Sequence, residues 1–224
     1  MGRLICKKLW PVHQLLMKTW VELEDTMQKH VSTLHEQQIT DLAQQAEIDE
    51  HYLLDRENGE RMLPVLREHL NNISLGEPLI LCFAPQTRTD ASFADAAFVS
   101  LALEVVEGKF GDRAVLLKDL SPNLIFNIEG AIEKRDLKLA MLAVFSDGTW
   151  SCIGHLEQNL RDTLNEVAEH DGLGASDLVT LFDLAINTAS NRLKKLHDQH
   201  LVRRQAQSTE KGLQFTYYFW KWTE

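Results

Sequence analysis

The chain has 224 residues, 44% hydrophobic and 25% charged, with enough apolar side chain to fill two small cores of an ordinary globular protein. Its formal net charge of −10 excludes a protein coated in basic residues for DNA. The charge is uneven, however: residues 172–224 carry seven Lys/Arg and five Asp/Glu against 16 and 28 before them, so a tail of +2 follows a body of −12.

In the N-terminal stretch MGRLICKKLWPVHQLLMKTW the apolar run is broken by Lys7, Lys8, Pro11, His13 and Gln14. Neither a signal peptide nor a membrane span is expected, and the expected location is the cytoplasm, in a bacterium. From Pro11 to about Ala46, Leu16, Trp20, Leu23, Met27, Val31 and Leu34 recur at spacings of three and four. That spacing predicts one long amphipathic helix, its stripe either packed within the chain or paired with a second copy. HYLL (51–54) reads as a short strand, and Asp55 as the N-cap of a helix to about Asn71. LILCFA (79–84) is a continuous apolar run of the buried-strand kind. Asp90 or Ser92 then caps a helix that stops at Gly108 and Gly111.

Strand 114–117, helix 123–135 and strand 137–145 follow, and the turn Ser146-Asp147-Gly148-Thr149 sends TWSCI back antiparallel. Strands alternating with helices argue for an α/β layer, with too few glycines for a dinucleotide-binding Rossmann domain. The last part predicts helices over 156–170, 176–182 and 188–199, with a break at 171–174. A hairpin RRQAQSTEKGLQFTYYFW turns at Glu210-Lys211-Gly212. Three helices and a β-hairpin in about 65 residues is the inventory of a winged helix-turn-helix.

The third of these helices buries Ala189, Leu193 and Leu196 at i, i+4 and i+7, and turns Asn187, Thr188, Ser190, Asn191 and Lys194 away from that stripe. Such side chains suit a major groove: Asn pairs in two places with adenine, Ser and Thr donate or accept, Lys takes guanine or phosphate. Arg203, Arg204 and Lys211 on the hairpin would hold the backbone or minor groove. Against this, Asn187 and Ser190 also serve as helix caps in a protein-docking module, and Asp183 and Asp198 flank the helix with the wrong charge.

Asp177-Leu178-Val179, then Asn187-Thr188-Ala189-Ser190-Asn191-Arg192-Leu193 with Leu196, then His200-Leu201-Val202-Arg203-Arg204 resemble the MarR/ArsR-like winged-helix regulators. His200 stands where that pattern has glycine, at a helix end that often needs a left-handed residue. Over roughly 48–145 the chain resembles the STAS-like family, related to anti-sigma-factor antagonists. LILCF (79–83), APQTRTDA and SFADAAF (92–98) match its strand, loop and helix opening, and DRENGERMLPVL (55–66) its preceding helix; Cys82 replaces the family's strand aspartate. The resemblance implies a partner-docking junction at Thr89-Asp90-Ala91-Ser92, where Ser92 is either a phosphorylation site at a helix N-terminus or simply an N-cap.

The expected fold class is therefore α/β (α+β): an N-terminal helical segment (1–47), a small STAS-like α/β domain (48–154) and a winged helix-turn-helix (155–224). Cys6, Cys82 and Cys152 form no CxxC pair and are expected as reduced thiols. The nine histidines form no HExxH and no i, i+4 pair with a third ligand, so no metal is expected. GxxxxGK[ST], GxGxxG and GxSxG are absent from the sequence; no catalytic residue and no cofactor are expected, and an enzyme is not. In the tail FTYYFWKW, alternation sets Phe215, Tyr217 and Phe219 against Tyr218, Trp220 and Trp222, one face being covered by the N-terminal helix or a dimer mate. Two functions remain. One is a dimeric transcriptional regulator binding double-stranded DNA, with a protein partner on its STAS-like part and no membrane; the other is a non-enzymatic adaptor whose winged helix contacts proteins.

Overall fold

The computed structural model describes residues 34–209 and 212–222. Residues 11–33 of the helix predicted from Pro11 to about Ala46, and Lys211, lie outside them. Where that helix was expected to continue, residues His35–Gln38 form a strand, β1, and a helix, α1, begins only at Ile39 and ends at Gln45. Pairing decides this. β1 lies parallel to β3 (Pro78–Cys82), with His35 opposite Leu79 and Gln38 opposite Cys82, so tertiary backbone bonds outweigh helical periodicity. Its polar side chains suit an edge strand: His35 meets Glu77 at 2.8 Å and Glu36 meets Lys118 at 2.6 Å.

The main sheet runs in the order β1-β3-β5-β6-β7, where β5 is Ala114–Lys118, β6 Ala140–Val144 and β7 Trp150–Gly154. All neighbours are parallel except β6 and β7, which return antiparallel with Val144 opposite Trp150. Two short strands, β2 (Tyr52–Leu53) and β4 (Arg88–Thr89), pair separately. Helix α2 is Arg56–Asn72. Helix α3 opens at Ala91–Ala94, widens to a π turn over Asp95–Val99 and continues as Ser100–Val106; α4 is Pro122–Lys134. The fold is mixed α/β with a mostly parallel sheet.

Strand order that advances one way along a sheet, joined by right-handed crossovers, puts every crossover helix on one face. Accordingly Leu79, Leu81, Leu117, Met141 and Ala143 share a core with Leu42, Met62, Leu66, Phe93, Phe98 and Ile128 of α1 to α4. At the crossing of α2 and α3, a Cβ on Gly59 would lie 2.7 Å from Ala96 Cβ and 2.8 Å from the Phe93 carbonyl oxygen. Asp95, in the π turn and 8% exposed, accepts from Arg135 at 2.9 Å and also from Arg56, tying α3 to α4 and α2. Burial pushes its carboxyl up, but the hydrogen bonds from Arg135 and Arg56 prevail and hold it below the ordinary value.

The alternate residues Ile80, Cys82, Ala114, Leu116, Ala140, Leu142 and Val144 face the other way. They share a second core with the C-terminal helices α5 (Gln158–Glu169), α6 (Ala175–Phe182) and α7 (Ile186–Asp198), through Leu160, Leu164, Val167, Leu178, Leu193 and Leu196. Burial on both faces explains the unbroken apolar runs of β3 and β6. Strand β6 starts later than predicted because residues 136 and 137 close α4: Asp136 is left-handed, φ 51°, and Leu137 N–H donates to the Ile132 carbonyl at 3.1 Å.

Candidate nucleic-acid interface

After α5, Leu173 exchanges both backbone hydrogen bonds with Tyr217, at 2.9 and 2.8 Å, and so fastens the start of α6 to the hairpin β8 (Arg203–Thr209) and β9 (Gly212–Tyr218). Asp177 accepts from Gly174 N–H at 2.7 Å, which holds the first turn of α6. Asp183 ends α6 in the left-handed conformation, φ 51°, and Ala185 opens α7 with its backbone alone. Neither Asn187 nor Ser190 caps the helix, so the capping role entertained for them is set aside: Ala185 holds that position, and its carbonyl accepts from Thr188 and Ala189.

Ala189, Leu193 and Leu196 are completely buried, and Asn187, Thr188, Ser190, Asn191 and Lys194 are all exposed along the opposite side of α7. Among the described residues the four neutral side chains of that set have no hydrogen-bond partner. The first turn of α7 holds no acidic residue, although the exposed Asp183 stands two residues before its N-cap Ala185. Lys194 is paired with Asp198 one turn on, an exposed contact of small net value that a phosphate can replace. This pair also cancels one of the two acids flanking the helix.

On the hairpin, Arg203 lies over the Tyr218 ring at 4.9 Å and Arg204 over the Phe215 ring at 4.5 Å. The rings brace the two guanidinium stems across the strands without using their hydrogen-bond donors. His200 occupies the left-handed position at φ 56°, its N–H on the His197 carbonyl and that of Leu201 on the Leu196 carbonyl, the paired bonds of a Schellman ending. Histidine thus takes the glycine's place with the backbone turn intact.

Two residues of this region escaped the sequence reading. Arg192 is half-buried with its guanidinium 5.8 Å from the Phe182 ring, joining α6 to α7. Ile186, half exposed, is the first residue of α7. The i, i+4 stripe assigned neither, since both lie off the buried face.

At the other expected contact point, Asp90 is the N-cap of α3 and is tightly held. Its carboxylate accepts from Phe93 N–H at 2.7 Å, from the Ser92 hydroxyl at 2.9 Å and from Asp55 N–H at 3.1 Å. Burial raises its pKa and these bonds lower it further, leaving it below the ordinary value. Ser92 is therefore not the cap but a donor to it. Asp55 sits before α2 as predicted, but its side chain caps nothing and its backbone is left-handed, φ 71°. Burial pushes the thiols of Cys82 and Cys152 up to about 11, which keeps them protonated and unreactive at neutral pH.

In the tail, Tyr217, Trp220 and Trp222 are buried together in the second core, rather than alternating as the strand pattern predicted. The strand ends at Tyr218, and the two indole N–H groups reach the His200 and Phe145 carbonyls, each at 3.0 Å. Among the described residues no cluster of His, Cys, Asp or Glu could hold a metal ion, and no helix is long and apolar enough to cross a membrane. Comparison with family models, with curated proteins and with solved structures found no match.

Proposed function

We propose that the chain is a transcriptional regulator that binds double-stranded DNA through a C-terminal winged helix-turn-helix, α7 being the reading helix and β8–β9 the wing. The observation that supports this most is the side of α7 opposite its buried stripe. Asn187, Thr188, Ser190 and Asn191 are exposed and unpartnered there, on the helix whose far end leads into the hairpin of Arg203 and Arg204. The helix, short β-bridge, helix, helix and hairpin order is that of winged-helix regulators. The α/β part is read as STAS-like, with a protein partner at the junction of β4 and α3 around Asp90. Phosphorylation of Ser92 is not favoured, because it would replace the hydrogen donated to Asp90 and set a dianion against that carboxylate.

With Lys194, Arg203, Arg204 and Lys211 as the cations available, the slope of log affinity against log salt is expected at roughly −3 to −4 per copy. Fluorescence anisotropy of the full chain on a random-sequence duplex at about 50 mM salt measures it. Arg203→Ala with Arg204→Ala should flatten the slope by about 2. Asn191→Ala should instead change which sequences are selected from a random pool. Absence of duplex binding at that salt by the folded protein overturns the proposal. The adaptor reading draws on the exposed Leu181, Ile186, Leu213 and Phe215, apolar residues at the corner of α6 and α7 and on the hairpin. In that case Ile186→Ser would abolish partner capture while leaving any weak duplex affinity unchanged.

A further inference from the structure

At the carboxyl ends of β3 and β5 the chain forms a cleft of about 640 Å³. The loop after β3 supplies one wall, from Pro85 to Thr89, and the start of α4 the other, through Ser121, Asn123, Phe126 and Asn127. Asn127 Nδ2 donates to the Thr89 carbonyl at 2.6 Å and so ties the two walls together.

The charge of the cleft runs against that of the chain. Its lining includes Arg88 and no carboxylate, in a protein of net charge −10. Helix α4, 13 residues long, begins at Pro122, which has no N–H, and its N-cap Ser121 accepts from Leu124 N–H at 3.3 Å; its first turn holds no acidic residue, so the positive end carries no acid of its own at the cleft. Thr87 is 7% exposed, and its hydroxyl and that of Thr89 are buried with no partner among the described residues. Hydrogen-bonding capacity of this kind is costly to leave unspent, on the order of 1–3 kcal/mol per group. Beside these polar groups the Phe126 ring lies 75% exposed, a large apolar surface with no cover.

We propose that this cleft binds a small aromatic anion, its carboxylate or phosphate at the start of α4 and Arg88, its ring against Phe126. Arg88 recognises a planar or tetrahedral anion through two N–H groups, and Asn123 adds an amide next to the helix end. The site makes the α/β part a sensor of a metabolite-sized effector, which a partner-docking role alone does not include. It stands independently of the DNA reading, since the residues are separate from α7 and the hairpin.

Calorimetry on the full chain with phenyl phosphate, benzoate, inorganic phosphate and benzyl alcohol tests it. Saturable binding of phenyl phosphate or benzoate is expected, with inorganic phosphate and benzyl alcohol weaker by about tenfold or more. Asn123→Asp sets a carboxylate at the helix end, and Arg88→Gln removes the cation. Both residues are exposed, so the free protein should keep its melting temperature while each change weakens aromatic anions by about tenfold. Phe126→Ala should reduce them to the level of inorganic phosphate. Arg203→Ala with Arg204→Ala, which strikes the DNA reading, should leave all of these affinities unchanged. No saturable binding of either aromatic anion at millimolar concentration overturns the proposal, as does binding that Asn123→Asp and Arg88→Gln leave untouched, or inorganic phosphate binding as tightly as phenyl phosphate.

Discussion

The two faces of the central sheet are covered in different ways. On the first, α1 and α2 together, then α3, then α4 lie in the three connections between neighbouring parallel strands, so cover and sheet are built together from units close in sequence. The second face is closed by the chain that follows β7: α5 to α7, then Trp220 and Trp222 after the hairpin. Backbone carbonyls of the sheet region serve as anchors for that late cover, Phe145 accepting from Trp222 and Cys152 from Arg161 at 3.2 Å. The same helix that presents Asn187 and Asn191 outward therefore fills the sheet's second core with Leu193 and Leu196. A sheet with one bare apolar face is not a stable layer, so the C-terminal segment is structural whatever it binds.

The largest test of that difference is a matched pair of truncations, Leu66→Ala beneath the first face and Leu193→Ala beneath the second, both fully buried. Each should cost about 2–5 kcal/mol, the range for a leucine cavity that relaxes incompletely. With Trp10→Phe and Trp20→Phe in the background, the remaining Trp150, Trp220 and Trp222 all lie in or against the second core, so fluorescence reports that side while far-UV circular dichroism reports the whole chain. If the two faces fold as one unit, both variants shift a single urea transition that coincides by both probes. A Leu193→Ala transition seen only by fluorescence would split the molecule in two and defeat the shared-core account.

Next in size is Gly59→Ala, on the first face only. The added methyl meets the Phe93 carbonyl, which is backbone and cannot swing aside, so about 1–3 kcal/mol of overpacking should outweigh the gain in helix propensity. Stability equal to or above the parent would mean that α2 and α3 can move apart at this crossing.

The first face was largely legible in the sequence, the second much less so. Apolar runs at 79–84, 114–117 and 137–145, separated by helical patterns, announce parallel strands because such strands are buried on both sides. The identical reasoning found α6, α7 and the hairpin, since an i, i+4 stripe and a turn are local signals. What covers what is not local. Nothing in the periodicity of Leu193 and Leu196 says that Leu116 and Leu142 share their core, nor that Trp222 reaches Phe145. Helix ends near 46, 135 and 199 were read to within a residue, although Glu47, Asp136 and His200 rather than glycine take the left-handed position after them. β1 was hidden because HEQQ has no strand pattern and is held by its ladder with β3. At the candidate interface α7 was visible as a helix with exposed polar residues, whereas the cleft beside α4 draws on a loop and a helix start distant in sequence and left no spacing to read.

A smaller change probes the anchoring of the second face. Trp222→Phe keeps an aromatic ring but deletes the indole N–H that reaches the Phe145 carbonyl at 3.0 Å. About 1 kcal/mol should be lost, the net value of one such bond, read as a lower urea midpoint with the transition still single. No change in midpoint would mean that the tail covers the sheet by apolar contact alone.

The smallest expected effect separates the faces by pH. His197 and His200 close α7, their rings stacked at 6.3 Å between centroids. Burial depresses both, helped by Arg204 beside His197 and by His197 beside His200, and is partly opposed by Asp112. A histidine with a lowered folded-state pKa favours folding while neutral. Its stabilisation is complete above the unfolded value of about 6.5 and is lost as pH falls through the folded value. The lowered Asp95 on the first face follows the same sign in a more acidic window, its contribution complete above about 3.9 and lost as pH falls through its folded-state value. Between neutral pH and about 5, then, acid should weaken the molecule through the second face while Asp95 stays ionised. Unfolding midpoints across that range check this in the parent and in His197→Gln with His200→Asn, asparagine being tolerated in the left-handed turn. The variant should lose part of the pH dependence. A dependence as steep as the parent's would place the acid-sensitive groups elsewhere.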